Sequence, residues 1–542
     1  MAGNGASLAD LQSGNKIPQP DASRKQISST GCSQETKFIN RDAARKQKSA
    51  GLVLGGCGAG AVIVAQSQTR GGWGVGRWGK RRLGSRWTTA PLPQGSLGGR
   101  LRESPASAGF SAGGARVTGM SELSHQEVFS DFSDLVVASP TSYHAAESVA
   151  ARLEAAGFTR LGDTDDWAGA APNGRVVVRD GAVIAWRTPE QVANTTPFRV
   201  VVAHTDSPGF RLKPVPSTER AGWCSLNAEI YGGPLTNSWL DRDLRLAGRL
   251  VLTDGSTTLV ATEPVARIPQ LAIHLDRRVN ADGLKLDQQQ HTHAVLGLTE
   301  GTEPLQLLAE SAGVAVDDIR GFDIFLVDSQ APARLGTRGE LIASGRMDNL
   351  ASVWAGTRAL IDSQPTDGIS VLAAFDHEEV GSSTRTGAAG PLLGELFERI
   401  QPAATAHERG ISRAASWVVS SDVGHAVHPN YPERHDDAVR PIAGQGPIIK
   451  VNADQRYVTD GAGEALWRQC SEAAGVAVQW FVSNNTMPCG STVGPFIATR
   501  FGIRTVDVGI PILSMHSVRE LAVLEDLDGL GRVLGSFMVS AQ

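Results

Sequence analysis

The chain of 542 residues is too long for one compact core, so two or three domains are expected. Its net charge of −5 conceals an asymmetry: residues 1–119 carry 17 Lys and Arg against 5 Asp and Glu, the remainder 34 against 51, and all 12 histidines lie in the remainder. The five cysteines form no CxxC pair or zinc-finger spacing and no run of about 20 apolar residues occurs, which argues against a disulfide framework and a membrane span and makes a reducing cytoplasm the expected location.

Residues 1–119 mix Gly, Ser, Gln and Arg without helical or strand periodicity, as in Gly71-Gly72-Trp73-Gly74-Val75-Gly76-Arg77-Trp78. That composition predicts disorder, or an extension foreign to the native protein. A basic, Trp-bearing stretch is also the make-up of a nucleic-acid or membrane-surface tail, but no nucleic-acid or membrane partner is expected here. Gly56-Cys57-Gly58-Ala59-Gly60-Ala61 satisfies a loose GxGxxA without a βαβ unit around it, which makes a dinucleotide site improbable.

From Met120 the texture changes. Ser142 to Phe158 predicts an amphipathic helix, with Val149 and Leu153 four apart, Thr141 or Ser142 as N-cap, and Gly157 at its end. Ala182–Trp186 and Phe198–Ala203 read as strands, the second delivering His204-Thr205-Asp206. Residues 207–330 are strand-rich, with Leu246–Leu252 and Thr257–Ala261 flanking Asp254-Gly255, and suggest a β-rich insertion. It divides a catalytic domain into residues 120–206 and 331–542. In the second part, strands at Ile369–Phe375, Trp417–Ser420 and Ile503–Val508 alternate with helices at Leu350–Leu360 and Glu464–Ala474. The predicted fold class is α/β with a mostly parallel sheet.

The adjacent carboxylates of Glu378 and Glu379, just past the apolar run Ile369–Phe375, repel each other unless a cation lies beside them. A metal resolves the conflict if Glu379 is a ligand and Glu378 is left to move protons. In open α/β sheets, sites form beyond the carboxyl ends of strands. Four predicted strands end there in metal-competent residues: His204, the Glu378–Glu379 pair, Asp422 and, after a short loop, His516. Asp348 precedes a predicted helix. Two histidines and three carboxylates suit a pair of Zn²⁺-like ions, with Asp348 bridging them and Asp206 accepting the second N–H of His204. Each feature alone is more often a turn, a cap or a solvated pair, and the weight lies in their coincidence. No HExxH is present, which argues against a zincin.

At these residues the sequence resembles the aspartyl aminopeptidase (M18) family of metallopeptidases over nearly all of 125–540. The likeness is carried by His204-Thr205-Asp206-Ser207-Pro208, Asn237-Ser238-Trp239-Leu240-Asp241-Arg242-Asp243-Leu244, Gly345-Arg346-Met347-Asp348-Asn349-Leu350, Glu378-Glu379-Val380-Gly381-Ser382, Asp422-Val423-Gly424-His425-Ala426-Val427-His428, Pro488-Cys489-Gly490-Ser491-Thr492 and Met515-His516-Ser517-Val518-Arg519-Glu520. The resemblance implies a two-zinc exopeptidase that removes N-terminal Asp or Glu from peptides with a free N-terminus. It places His204 and Asp422 on one ion, Glu379 and His516 on the other, Asp348 between them, and Glu378 as general base. It further implies that the β-rich insertion is a dimerisation domain and that dimers assemble into a homo-oligomeric dodecamer. Lys450 is the candidate for binding an acidic side chain, against a surface lysine as the alternative. His274, His425 and His428 lie in the family's motifs, and one of them is the candidate for stabilising the oxyanion, from its own or a neighbouring subunit, against a structural role as the alternative. Mn²⁺ and Co²⁺ overlap with Zn²⁺ in ligand preference. The rival readings are a related two-metal hydrolase (broad aminopeptidase, carboxypeptidase or amidohydrolase), a catalytically silent assembly or binding protein on the same fold, and a nucleic-acid-associated protein acting through the basic extension.

Overall fold

Strands that are apolar at every position need cover on both faces. Phe198–His204 and Ile369–Phe375 are buried along their whole length. In the computed structural model, which describes residues 120–299 and 303–540, both are central strands of one sheet. The extension 1–119, with its two glycine-rich motifs, lies outside the described residues.

Alternate residues of these strands serve two cores, as the period of two requires. Val201, Ala203, Leu372 and Ala374 meet Trp354, Leu530 and Phe537 on one side. Val200, Val202, Val371, Ala373 and Phe375 meet Leu396, Phe397 and Ile497 on the other. The first side is covered by the helices Met347–Asp362 and Leu524–Val539, and the second by Leu392–Ile400 and Gly494–Phe501.

The sheet has nine strands, in the order Thr159–Leu161, Arg175–Arg179, Ala182–Arg187, Ile369–Phe375, Phe198–His204, Trp417–Ser421, Arg504–Gly509, Ile448–Val451, Gln479–Val482. Its four middle members, from Ile369–Phe375 to Arg504–Gly509, run parallel. Register sets Phe375 opposite His204 and Ser420 opposite Val202, so Asp422 emerges level with His204. The mixed α/β class and the strand runs are as the sequence predicts.

The helix boundaries differ from expectation by two or three residues, the predicted Glu464–Ala474 helix beginning at Gly461. The predicted Ser142–Phe158 helix stops at Ala155, because Gly157 takes φ +92° and turns the chain. The predicted Leu350–Leu360 helix begins at Met347, but Asp348 and Asn349 are non-helical within it.

A second, six-stranded sheet is antiparallel throughout and packs Phe210, Leu226, Leu246 and Leu326 over Leu308 of the helix Pro304–Ala312. Its strands, from Gly209–Arg220 to Ile319–Asp328, fall between Phe198–His204 and Ile369–Phe375 in the chain. Arg249 joins the two sheets by bonding Asp323 (2.8 Å) and Asp180 (2.6 Å). Ala333–Leu335, Leu341–Ser344 and Glu520–Val523 form a three-stranded sheet that contributes Ile342 and Ala522 to the first core. Among the described residues no helix is long and apolar enough to cross a membrane.

Candidate active site

The ends of the four parallel strands converge with the start of the Met347–Asp362 helix on one cleft. Asp348 stands in the middle and divides its carboxylate. Its Oδ1 lies 3.2 Å from His204 Nε2, and its Oδ2 3.3 Å from His516 Nε2. Asp422 Oδ1 is 3.6 Å from the same atom of His204, and Glu379 Oε1 is 3.5 Å from that of His516. Two three-residue groups result, His204–Asp348–Asp422 and Asp348–Glu379–His516, and each could hold a metal. A third group, His204–Glu378–Glu379, sets Glu378 within reach of both halves.

The residues fit a divalent ion in each half. Donor atoms at about 2.0–2.2 Å from a tetrahedral centre stand roughly 3.3–3.6 Å apart, and the four histidine–carboxylate separations here are 3.2, 3.3, 3.5 and 3.6 Å. Asp348 Oδ1, Glu379 Oε1 and Asp422 Oδ1 are moreover buried with no hydrogen-bond donor, a costly condition that a cation relieves.

Both histidines are held so that Nε2 faces inward. His204 Nδ1 donates to the main-chain carbonyl of Asp206 at 3.0 Å, and His516 Nδ1 to that of Gly233 at 3.0 Å, which leaves each Nε2 lone pair free. The sequence reading gave the first of these bonds to the Asp206 carboxylate, which lies farther off at 3.4 Å. That carboxylate accepts instead from the backbone N–H groups of Glu378 (3.0 Å) and Glu379 (3.2 Å) and from the Tyr231 hydroxyl (2.8 Å). It therefore fixes the turn bearing the carboxylate pair.

Backbone strain is present here as well. Arg346, His377 and His516 adopt φ of +57°, +65° and +64°, a region that costs non-glycine residues ~1–3 kcal/mol each and persists where surrounding structure imposes it.

Electrostatics express the crowding. Burial pushes Glu378 up to about 7, reinforced by Asp422, Asp206 and Asp348. Burial, with Asp348 beside it, also raises Glu379 well above the carboxylate range. Burial opposes protonation of His516, yet the Asp348 and Glu379 carboxylates carry it to about 10. The cluster is short of positive charge.

Comparison with known proteins identifies the family. Residues 135–537 match the family described as aminopeptidase I zinc metalloprotease (M18). The chain belongs to the M18 family. A Streptomyces coelicolor protein named probable M18 family aminopeptidase 2 is 51% identical over 418 residues, covering 75% of this chain and 96% of that one. A chain in the cryo-EM structure of the Ape4 and Nbr1 complex superposes with a TM-score of 0.74 at 34% identity, covering 76% and 86% of the two chains. The S. cerevisiae mApe1 dodecamer gives 0.66 at 27%, covering 76% and 96%. By family, this is a metallo-aminopeptidase.

The remaining candidates of this M18 aminopeptidase are placed unequally. Lys450 is no surface lysine: it is 1% exposed, donates to Val423 O (2.8 Å) and Asp422 Oδ2 (3.2 Å), and lines the cleft with Tyr457, Gly490 and Ser491. His425 also lines the cleft. His428 lies in the adjoining hollow, its ring against Tyr431. His274 is exposed and does not line the cleft of its own subunit. Sequence reasoning missed Tyr231 and the Gly232–Gly233 pair that follows it. Their signal was a glycine pair directly after a strand-like run, a sign of close backbone approach. Gly232 has φ +67°, and a Cβ there would stand 3.0 Å from Glu379 Cβ.

Proposed function

We propose that this M18 aminopeptidase uses two zinc ions per subunit to remove N-terminal residues, preferring Asp or Glu, from peptides with a free N-terminus. The observation that carries this reading is the divided carboxylate of Asp348, one oxygen toward each half of the cleft. His204 and Asp422 would hold one ion, Glu379 and His516 the other, with Asp348 shared. Such a pair supplies an acidified water and a polarised carbonyl.

The chain's own residues do the rest. Glu378, reaching both halves, accepts the proton of the attacking water and delivers it to the departing amine. Asp206 holds Glu378 in place through its backbone N–H. Lys450 has three N–H bonds and two partners in the protein, so the third is available to a substrate carboxylate. His425, which lines the cleft, would donate to the developing oxyanion. His274 would act in a neighbour's cleft. The six-stranded sheet is the proposed dimer contact, and dimers the units of a dodecamer such as that of S. cerevisiae mApe1. The cytoplasm is the proposed location.

The test is metal content together with rates on peptides beginning with Asp, Glu, Leu and Lys, before and after chelation. Two equivalents of zinc and faster cleavage of Asp and Glu peptides are expected, with no cleavage once the amine is acetylated. Equal rates on all four would end the acidic preference. One equivalent in a fully active enzyme would end the two-ion reading.

A further inference from the structure

We infer that Glu520 is a positioning residue for the metal centre, its single carboxylate clasping the backbones of two ligands from opposite sides of the chain. Its Oε2 accepts the N–H of Asp348 at 3.1 Å and its Oε1 that of His516 at 2.9 Å. Glu520 is 2% exposed and does not line the cleft. It lies behind Asp348, on a small cavity shared with Asp206 and Arg346. It touches neither substrate nor ion and acts through the two residues it holds. This inference rests on the two-metal reading above.

A second carboxylate buried against Asp348 is unfavourable unless something satisfies it. The two amide bonds do so, and they fall where the backbone has no regular partner. Asp348 is non-helical at the start of its helix, and His516 sits in the left-handed region. The strand that leads to Asp348 and the strand that follows His516 are neighbours in the three-stranded sheet, with Ser344 paired to Glu520. Glu520 thus stands at the junction where the spacing of Asp348 and His516 is set. That spacing, 3.3 Å between Oδ2 and Nε2, is what the second half of the cleft requires.

Glu520→Gln tests the clasp. The amide keeps the size but has one oxygen, so one N–H loses its acceptor and faces an NH₂ instead. Zinc retention of the full chain would be measured by competition with a chelator, alongside unfolding midpoints in zinc and in excess EDTA. The expected result is zinc binding weakened about 10- to 100-fold, the usual cost of losing a partner of a ligand. The zinc-induced rise in midpoint should shrink while the EDTA midpoint changes less. Unchanged zinc affinity, with both midpoints lowered equally, would make Glu520 a fold residue and overturn the clasp.

If the variant does not fold, hydrogen exchange of the wild-type chain decides. The amides of Asp348 and His516 should stay protected after chelation, because Glu520 and not the ion holds them. Their prompt exchange on metal removal would overturn the inference. A wild-type chain that retains no zinc would instead defeat the two-metal reading, an outcome separate from either of these.

Discussion

The two halves of the cleft use the same donor types in different surroundings. His204 sits at the end of a central parallel strand with its side chain 2% exposed, and Asp422 directly follows the neighbouring strand. Lys450 takes the second oxygen of Asp422, so that half is enclosed by main-sheet residues. His516 is 32% exposed and rides a loop after its strand. Its Nδ1 partner, Gly233, belongs to the segment that follows the second sheet's Trp223–Tyr231 strand. The first half is fixed by parallel-sheet register, and the second is assembled between two sheets. Rigidity of a site follows from the elements that carry it, so the halves should differ in how firmly they hold an ion.

Asp348 belongs to both halves, and its removal is the severest break. Asp348→Ala should lower zinc in both halves and abolish peptide cleavage, measured by metal analysis and turnover on an N-terminal Asp peptide. Loss of one equivalent alone would show that the halves are independent. Glu378→Gln comes next. It should retain both equivalents and reduce kcat about 10²- to 10⁴-fold, the usual share of a general base. Near-normal turnover would remove Glu378 from that role, and loss of metal would move it into the ligand set.

The comparison itself is tested by graded chelation. The His516 half should empty at a lower chelator concentration than the His204 half, giving two separable steps in zinc content. His516→Ala should abolish the early step and His204→Ala the late one. A single concerted loss in the wild-type chain would mean that the difference in burial has no consequence for retention.

The sequence made the candidate ligands of both halves more legible than the contacts that position them. Phe198–His204, Ile369–Phe375 and Trp417–Ser421 are apolar runs bounded by polar residues, and buried parallel strands demand such runs. Their ends therefore announced His204, Glu379 and Asp422. What stayed hidden were contacts created by folding between distant segments. Glu520 bonds Asp348 across 172 positions, and His516 bonds Gly233 across 283. Neither pairing leaves a local pattern. Lys450 was ambiguous for the same reason, since its burial against Asp422 depends on an antiparallel pairing of Ile448–Val451 with Arg504–Gly509. His204 Nδ1 stands 3.0 Å from the Asp206 carbonyl and 3.4 Å from its carboxylate, an order set by the turn after His204 that no sequence pattern specifies.

Gly232 offers the mildest way to disturb one half alone. It occupies the left-handed region at φ +67°, where an L side chain costs ~1–2 kcal/mol. An added Cβ would also stand 3.0 Å from Glu379 Cβ and 3.3 Å from its Oε2, closer than carbon and oxygen pack without yielding. Glu379 has little room to retreat, because its backbone N–H is bonded to Asp206. Gly232→Ala should therefore lower stability by about that amount and bring the first chelation step to a lower concentration, leaving the second where it was. An equal shift of both steps would mean that the strain spreads through Asp348 to the whole centre, and that the two halves yield as one.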